Sequence, residues 1–311
     1  METQKDKLLS IVIPSYNEET LIDQTFHTVK EIMDEAVIPF EIIFVDDGSR
    51  DATYCNIVKL SERYPEVKGL SFSRNFGKEA AIFAGLEAVQ GACCVIMDCD
   101  LQHPPVTIVE MYRLWEKGFE VVEGVKSSRG RENPLYTLCA GCFYGLIGWV
   151  TGLDMANASD FKLLDRRAVE ALLIMPERTP FFRALSSWIG FTSTTVSFEV
   201  QERTAGTSKW SVWSLVKYAI RNITSFSGAP MQLVTLMGWI MLVFSFIFAI
   251  QSLYRYFTGT SQEGFTTVIL LLLIIGSVLM ISLGIIGHYI SRIYEEIKGR
   301  PRYIIQKRCG Y

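Results

Sequence analysis

With 311 residues, the chain is long enough for one sizeable α/β domain plus a smaller unit. Its formal net charge of -3 and pI near 5.8 leave no surplus of Lys and Arg for a phosphate backbone, which excludes a nucleic-acid binder. The 49% hydrophobic content and mean hydropathy of +0.23 exceed what a soluble domain requires, and the excess sits near the C-terminal end.

In chain order, residues 1–7 are polar and the first apolar run is too short for a secretory leader, so the N-terminal domain is expected to stay in the cytosol. Short β-rich runs at 9–13, 40–45, 67–72, 93–97 and 121–125 alternate with helix-length periodic stretches at 18–35, 51–63, 78–89 and 106–117. This alternation predicts an α/β fold, a mostly parallel, Rossmann-like sheet with helices on both faces and ligands beyond the carboxyl ends of its strands. Seven cysteines, with Cys93, Cys94 and Cys99 in or beside one apolar run, argue for a reducing compartment rather than a disulfide framework. Cys139 and Cys142 form a lone Cys-x-x-Cys in a helix-like stretch, where they read as small packing residues rather than metal ligands.

Further along, Trp210, Trp213, Tyr218 and Phe226 interleave with Lys217 and Arg221 at helical spacing. That pattern suits an amphipathic helix at the headgroup level, with an ordinary packing helix as the plainer alternative. Two uncharged apolar spans follow, 233–253 and 265–290, each longer than the roughly 20 residues that cross a bilayer as helix. The tail carries Arg292, Lys298, Arg300, Arg302, Lys307 and Arg308 against Glu295 and Glu296, whereas the connector 258–264 has neither Lys nor Arg. Positive-inside bias therefore places both termini in the cytosol, with Arg255 the one residue that counts against it. The expected organisation is a catalytic domain at 1–209, an interfacial region at 210–230, a two-helix transmembrane hairpin at 231–291 (231–254 and 265–290) and a basic cytosolic tail at 292–311.

The sharpest constellation is Met97-Asp98-Cys99-Asp100-Leu101-Gln102-His103-Pro104-Pro105, after the fourth strand. In extended chain, Asp98, Asp100 and Gln102 point to one side and can converge on one ion. Two carboxylates and an amide oxygen suit Mg²⁺ or Mn²⁺, which bind through few protein carboxylates plus substrate phosphates, so a diphosphate ligand is implied. A solvated turn is the bland alternative for an Asp-x-Asp pair taken alone. Two more strand ends carry acids: Pro14-Ser15-Tyr16-Asn17-Glu18 and Val45-Asp46-Asp47-Gly48-Ser49. A planar ring beside a carboxylate can stack on a nucleobase while the acid accepts from its N–H or from ribose hydroxyls. No GxGxxG or GxxxxGK[ST] loop is present, which disfavours dinucleotide oxidoreductases and P-loop NTPases. His27, His103 and His288 are scattered, and none is expected to act in catalysis.

These motifs, together with Ser73-Arg74-Asn75-Phe76-Gly77-Lys78, Ser159-Asp160-Phe161-Lys162-Leu163-Leu164-Asp165-Arg166 and Arg203-Thr204-Ala205-Gly206-Thr207-Ser208-Lys209-Trp210, resemble the family-2 glycosyltransferases over nearly the whole chain. Within them the resemblance is to the polyprenyl-phosphate sugar transferases, such as dolichol-phosphate mannose synthase and the bactoprenol glucosyltransferases. It implies a GT-A fold, with Tyr16, Glu18 and Asp47 at the nucleotide and Pro14, Val45, Lys78, Asp98, Cys99 and Lys126 also against the nucleotide-sugar. It places Asp98, Asp100 and Gln102 on the metal, and Arg203 and Lys209 on phosphates in a loop that closes over the donor. Asp100 and Asp160 are the implied catalytic residues, Asp160 positioning the nucleophile or metal shell rather than serving as an obligatory base; a capping Asp, or one paired with Lys162 or Arg166, is its plainer reading.

Where that family shows Gly-x-Arg-x-x-Arg, this chain reads Gly124-Val125-Lys126-Ser127-Ser128-Arg129. Lys126 keeps the charge but loses the bidentate fork that grips phosphate. The following stretch offers Tyr136, Thr137 and Gly141 where basic and Ser residues are expected, so Lys126, Arg129 and Arg131 are the expected acceptor-phosphate contacts.

The implied reaction is inverting transfer of one sugar from a nucleotide-sugar, UDP-glucose favoured, to polyprenyl (undecaprenyl) phosphate at the cytosolic face of a bacterial inner membrane. The product would be a lipid-linked donor for cell-surface glycan modification such as that of O-antigen in lipopolysaccharide. GDP-mannose and UDP-aminosugars, including aminoarabinose derivatives, stay open as donors, as do a homo-oligomer and a functional link to a lipid-sugar flippase. A membrane-associated sugar nucleotidyltransferase and a non-catalytic scaffold are rivals of other classes. A processive polysaccharide synthase is disfavoured, because two spans are too few for a translocation channel and no Gln-x-x-Arg-Trp occurs.

Overall fold

The computed structural model describes residues 7–126, 159–178, 180–199, 229–258 and 264–311. The chain divides into two compact units, Met1–Lys209 with Arg300–Tyr311, and Trp210–Gly299.

The first unit is built on a sheet of eight strands among the described residues: β1 (Leu9–Ser15), β2 (Phe40–Asp46), β3 (Val67–Phe72), β4 (Cys93–Ile96), β5 (Val121–Lys126), β6 (Lys162–Asp165), β7 (Ser193–Phe198) and β8 (Ile305–Cys309), in the order β7-β5-β6-β4-β1-β2-β3-β8. β6 and β8 run against the other six. Its helices are α1 (Ile22–Glu35), α2 (Thr53–Arg63), α3 (Lys78–Ala88), α4 (Val106–Glu116), α5 (Arg166–Ile174) and α6 (Phe182–Trp188).

β2 is buried along its whole length and β1 nearly so, the mark of central parallel strands covered on both faces. Leu9, Ile11 and Ile13 of β1 join one core with Ile22, Phe26, Val29 and Met33 of α1 and with Ile108, Met111 and Tyr112 of α4. The α1 residues recur at helical spacing and form a single apolar stripe. Val12 points to the opposite face, where α3 packs so closely that a Cβ on Gly85 would lie 2.2 Å from Val12 Cγ1. Helices therefore cover both faces, as the alternation predicts.

Two differences from the sequence reading concern the ends of elements. α1 begins at Ile22 rather than near residue 18, because Asn17 adopts a positive φ of 56° and residues 17–19 are tied to the next loop instead. The basic tail contributes β8, which pairs antiparallel with β3. Ahead of it, the Arg302 guanidinium donates to the carbonyls of Met175 and Glu177, Tyr303 stacks on Phe72 at 5.0 Å, and Ile304 accepts the Ser73 N–H at 3.0 Å.

The second unit contains α7 (Ala229–Phe257) and α8 (Phe265–Ile297). Within α8, Ile274–Ile297 is long and apolar enough to cross a membrane, whereas the described apolar stretch of α7, Val234–Phe248, falls short of that length. The expected two-span hairpin is thus represented by one such segment among the described residues. Both helices expose large apolar side chains, among them Trp239, Phe246, Met280 and Leu283.

Candidate active site

The strand order reverses at β1: β2 and β3 lie to one side of it and β4 to the other. Such a switch point opens a crevice beyond the carboxyl ends of the strands. Here the loops after β1, β2, β3 and β4 line a cleft of about 320 Å³.

The first two loops are stitched together. Asp47 N–H donates to the Ser15 carbonyl at 2.9 Å, and Glu18 N–H donates to Thr53 Oγ1 at 2.9 Å. Asn17 N–H donates to Ser49 Oγ at 2.9 Å, and Asn17 Oδ1 accepts the Arg50 N–H at 3.0 Å. Asp46 points away from the cleft and holds the turn, accepting from Ser49 N–H and Ser71 Oγ. Asp47 accepts the N–H groups of Phe76 at 2.6 Å and Gly77 at 2.9 Å, fixing the third loop. Burial raises its carboxyl above the usual carboxylate value, against the opposing pull of those two N–H groups. A carboxylate has about four acceptor positions, so Asp47 retains capacity for a ligand donor. Gly48, at φ +68°, is required where these loops meet, because a Cβ there would lie 2.4 Å from the Arg74 carbonyl carbon. Above this floor the Tyr16 ring is 43% exposed.

The Asp98–Gln102 segment departs from the extended geometry that the sequence suggests. β4 ends at Ile96 and the chain turns, with Leu101 at φ +56° and Gln102 N–H donating to Asp100 Oδ1 at 3.1 Å. Asp98 and Asp100 nevertheless both line the cleft, while Gln102 is outside its lining. His103 holds the turn from behind: buried and stacked on Phe161 at 4.7 Å, it accepts the Asp98 N–H through Nδ1 at 3.5 Å. Burial lowers its pKa, consistent with a neutral acceptor. Cys99 is also buried, and burial pushes its thiol up to about 12, so it acts through its carbonyl, which accepts from Thr25 Oγ1 at 2.7 Å.

Asp160 reaches the same place by strand register. Ile96 pairs with Lys162, and continuing that antiparallel ladder by two residues sets Asp98 opposite Asp160. Lys78 lies between the two acids, its Nζ 2.6 Å from Asp98 Oδ1 and 2.8 Å from Asp160 Oδ2. Arg183 grips Asp160 as a fork, Nε to Oδ1 at 2.6 Å and Nη2 to Oδ2 at 2.9 Å. Burial opposes ionisation of Asp160, but Lys78 and Arg183 together hold its carboxyl well below the usual range. A carboxylate so acidic is a poor proton acceptor, which fits positioning better than general base catalysis. Its partners are not Lys162, which pairs with Glu123 at 3.2 Å and donates to Ser186 Oγ, nor Arg166, which pairs with Glu170.

Of the expected site residues, Pro14, Tyr16, Glu18, Asp47, Lys78, Asp98, Cys99 and Asp100 line the cleft. Val45 is buried within β2, opposite Pro14, and supports the floor. Lys126 ends β5 and is exposed, outside the cleft lining. Arg129, Arg131, Arg203 and Lys209, with the altered stretch 134–151, the Cys139–Cys142 pair and the 210–227 helix, lie outside the described residues. Sequence reasoning missed Arg183 and Glu79, and gave Asn75, quoted within the motif at 73–78, no role of its own although it lines the cleft. Arg183 sits in a short helix without a motif, and only the three-dimensional approach of α6 to α3 brings it to Asp160.

A cation fits this cleft: the carboxylates of Asp98 and Asp100 both line it, and the Lys78 ammonium already stands against Asp98. Among the described residues no cluster of three or more His, Cys, Asp or Glu side chains gathers to hold a metal by itself. Mg²⁺ and Mn²⁺ commonly complete their shells with water and substrate phosphate, so two carboxylates meet the requirement.

Comparison with known proteins agrees with this architecture. Residues 10–173 match Glycosyl transferase family 2. The chain is 40% identical over 305 residues to the putative glycosyltransferase CsbB of Bacillus subtilis, covering 97% of this chain and 92% of that one. It is 36% identical over 301 residues to the SfII prophage-derived bactoprenol glucosyl transferase of Shigella flexneri, covering 96% and 97% respectively. Glucosyl-3-phosphoglycerate synthase from Mycobacterium tuberculosis, solved with Mn²⁺, uridine diphosphate and phosphoglyceric acid, shares the GT-A-like fold at a TM-score of 0.54 and 18% identity, over 71% of this chain and 79% of that one. The chain is a glycosyltransferase that belongs to glycosyl transferase family 2, close to the bactoprenol glucosyl transferases.

Proposed function

We propose that the protein transfers a single glucose from UDP-glucose to polyprenyl phosphate, with inversion, at the cytosolic face of the membrane. The observation that carries this reading is the meeting of Tyr16, Glu18 and Asp47 with Asp98 and Asp100 in one cleft at the β1/β4 switch point. Tyr16 stacks on the base, and Glu18 and Asp47 accept from the nucleoside. Asp98 and Asp100, with Gln102 on the same turn, would hold Mg²⁺ or Mn²⁺, which would supply Lewis-acid stabilisation of the departing diphosphate. Asp160, fixed by Arg183, sets the position of Lys78 beside that group. An acceptor phosphate oxygen attacks the anomeric carbon as the bond to UDP breaks; with a second pKa near 6, it is mostly dianionic at neutral pH and requires no strong base. Lys126, Arg129 and Arg131 steer that phosphate. The bactoprenol relative supports the acceptor class and the sugar, and the uridine-diphosphate-bound structure supports the donor and metal.

Membrane attachment belongs to the same proposal. The chain leaves the catalytic unit before α7 and rejoins its sheet as β8 after α8. A chain that departs from and returns to one folded body crosses a membrane an even number of times. On this reading Ile274–Ile297 crosses and α7 supplies the second crossing; its 29 residues span about 43 Å as helix, enough for a hydrocarbon core of about 30 Å.

Incubating membranes with polyprenyl phosphate and a panel of radiolabelled nucleotide-sugars should move label from UDP-glucose into an organic-extractable lipid. Asp100→Ala should abolish that transfer while the chain remains folded and membrane-bound. Undiminished transfer by the variant overturns the metal assignment, and label confined to water-soluble nucleotide favours a nucleotidyltransferase.

A further inference from the structure

We propose that Lys78 is a resident counter-cation that keeps divalent metal weakly bound until the nucleoside diphosphate arrives, so that metal and donor load as a coupled pair. The inference rests on the metal reading of Asp98 and Asp100 given above.

Lys78 is the first residue of α3, where the positive end of the helix dipole disfavours a cation. A residue placed against its local preference points to a role in the site. Without Lys78, Asp98 would lose its ion-pair partner beside an Asp160 carboxylate whose charge Arg183 alone would offset. Its ammonium touches both, but the two contacts are unequal. Asp160 has a side chain only 8% exposed and keeps the Arg183 fork if Lys78 shifts. Asp98 has a side chain 32% exposed, lines the cleft and forms its ion pair with Lys78. Asp160 is therefore the pivot and Asp98 the exchangeable end.

Two consequences follow from electrostatics. A divalent ion approaching Asp98 alone must displace an ammonium from its oxygen and remain close to that charge, a repulsion that weakens binding. A diphosphate brings negative charge to both the metal and the released Lys78, so the repulsion becomes an attraction when all three are present.

Mn²⁺ binding to the detergent-purified full chain, followed by electron paramagnetic resonance of free Mn²⁺ with and without UDP, tests this directly. In the natural protein, UDP should tighten Mn²⁺ binding by about tenfold or more. Lys78→Met should bind Mn²⁺ alone about tenfold more tightly and lose most of the tightening by UDP, as reciprocal coupling requires. Lys78→Gln, which keeps a polar donor and removes the charge, should behave like the Met variant and guards against a folding defect. Unchanged or weaker Mn²⁺ affinity in both variants overturns the inference while leaving the metal site standing. Absence of Mn²⁺ binding in every protein, with UDP present, overturns the metal reading and this inference with it.

Discussion

Glu79 follows Lys78 in α3, and its Oε2 accepts the Phe182 N–H at 2.9 Å, joining α3 to the start of α6 beside Arg183. Burial, with a further push from the Asp160 charge, raises its carboxyl from 4.5 to about 7, despite the Phe182 N–H and the cations Lys78 and Arg183. The folded protein therefore holds this proton more tightly than the unfolded chain. Between about pH 4.5 and 7 the native state binds more protons, so stability falls as pH rises, and the whole penalty is present above 7. At about 1.4 kcal/mol per tenfold, the ionised form is opposed by at most about 3 kcal/mol. Glu79→Gln keeps an oxygen for the Phe182 N–H and removes the charge. It should stabilise the protein by about 1–3 kcal/mol at pH 8 and leave it unchanged near pH 4.5, after allowing for lost attraction to Lys78 and Arg183. For a domain of this size that corresponds to about 2–10 °C in the unfolding midpoint. Thermal unfolding in detergent, followed by tryptophan fluorescence at both pH values, reads the difference. A variant no more stable at pH 8 than the natural protein, or an equal gain at both pH values, refutes the burial argument. Asp160 carries the opposite sign: its stabilisation is present above the unfolded value of 3.8 and is lost only as pH falls below it, so it adds no slope in this window.

Gly48→Ala forces a side chain into the left-handed region and against the Arg74 carbonyl, and should cost at least about 2 kcal/mol. Because the displaced loop carries Asn75, the KM for the nucleotide-sugar should rise together with the loss in unfolding midpoint; a change in neither refutes the packing. Tyr303→Ala removes the ring stacked on Phe72 and should cost about 2 kcal/mol, whereas Tyr303→Phe should be nearly neutral. Denaturant unfolding compares the two, and equal loss in both variants assigns the effect to the hydroxyl rather than the ring.

The strands and helices up to residue 126 were legible because each has a strong local signature. β2 is a continuous apolar run and α1 an amphipathic stripe, and observed boundaries there differ from expected ones by a few residues. β8 was not legible: Ile305-Gln306-Lys307-Arg308-Cys309 reads as solvated charge, and an edge strand rich in Lys and Arg is stabilised by a backbone pairing that leaves no periodic trace. The acids of the cleft were found because strand ends carry them in sequence, yet the alternation argument for Asp98 and Asp100 failed. They reach the cleft instead from a turn closed by Leu101 and backed by His103. Arg183 and Glu79 escaped notice for a related reason. Their importance comes from non-local approach, which a single sequence leaves unmarked.

β8 also constrains how the molecule is made. Residues 305–309 are synthesised after both long helices, so during translation the outer edge of β3 has no partner until the hydrophobic segments have emerged. The sheet, and with it the Tyr303 ring stacked on Phe72 at the end of β3, is finished only then. A chain that stops short of residue 309 is left with a bare strand edge on β3, which is prone to aggregation.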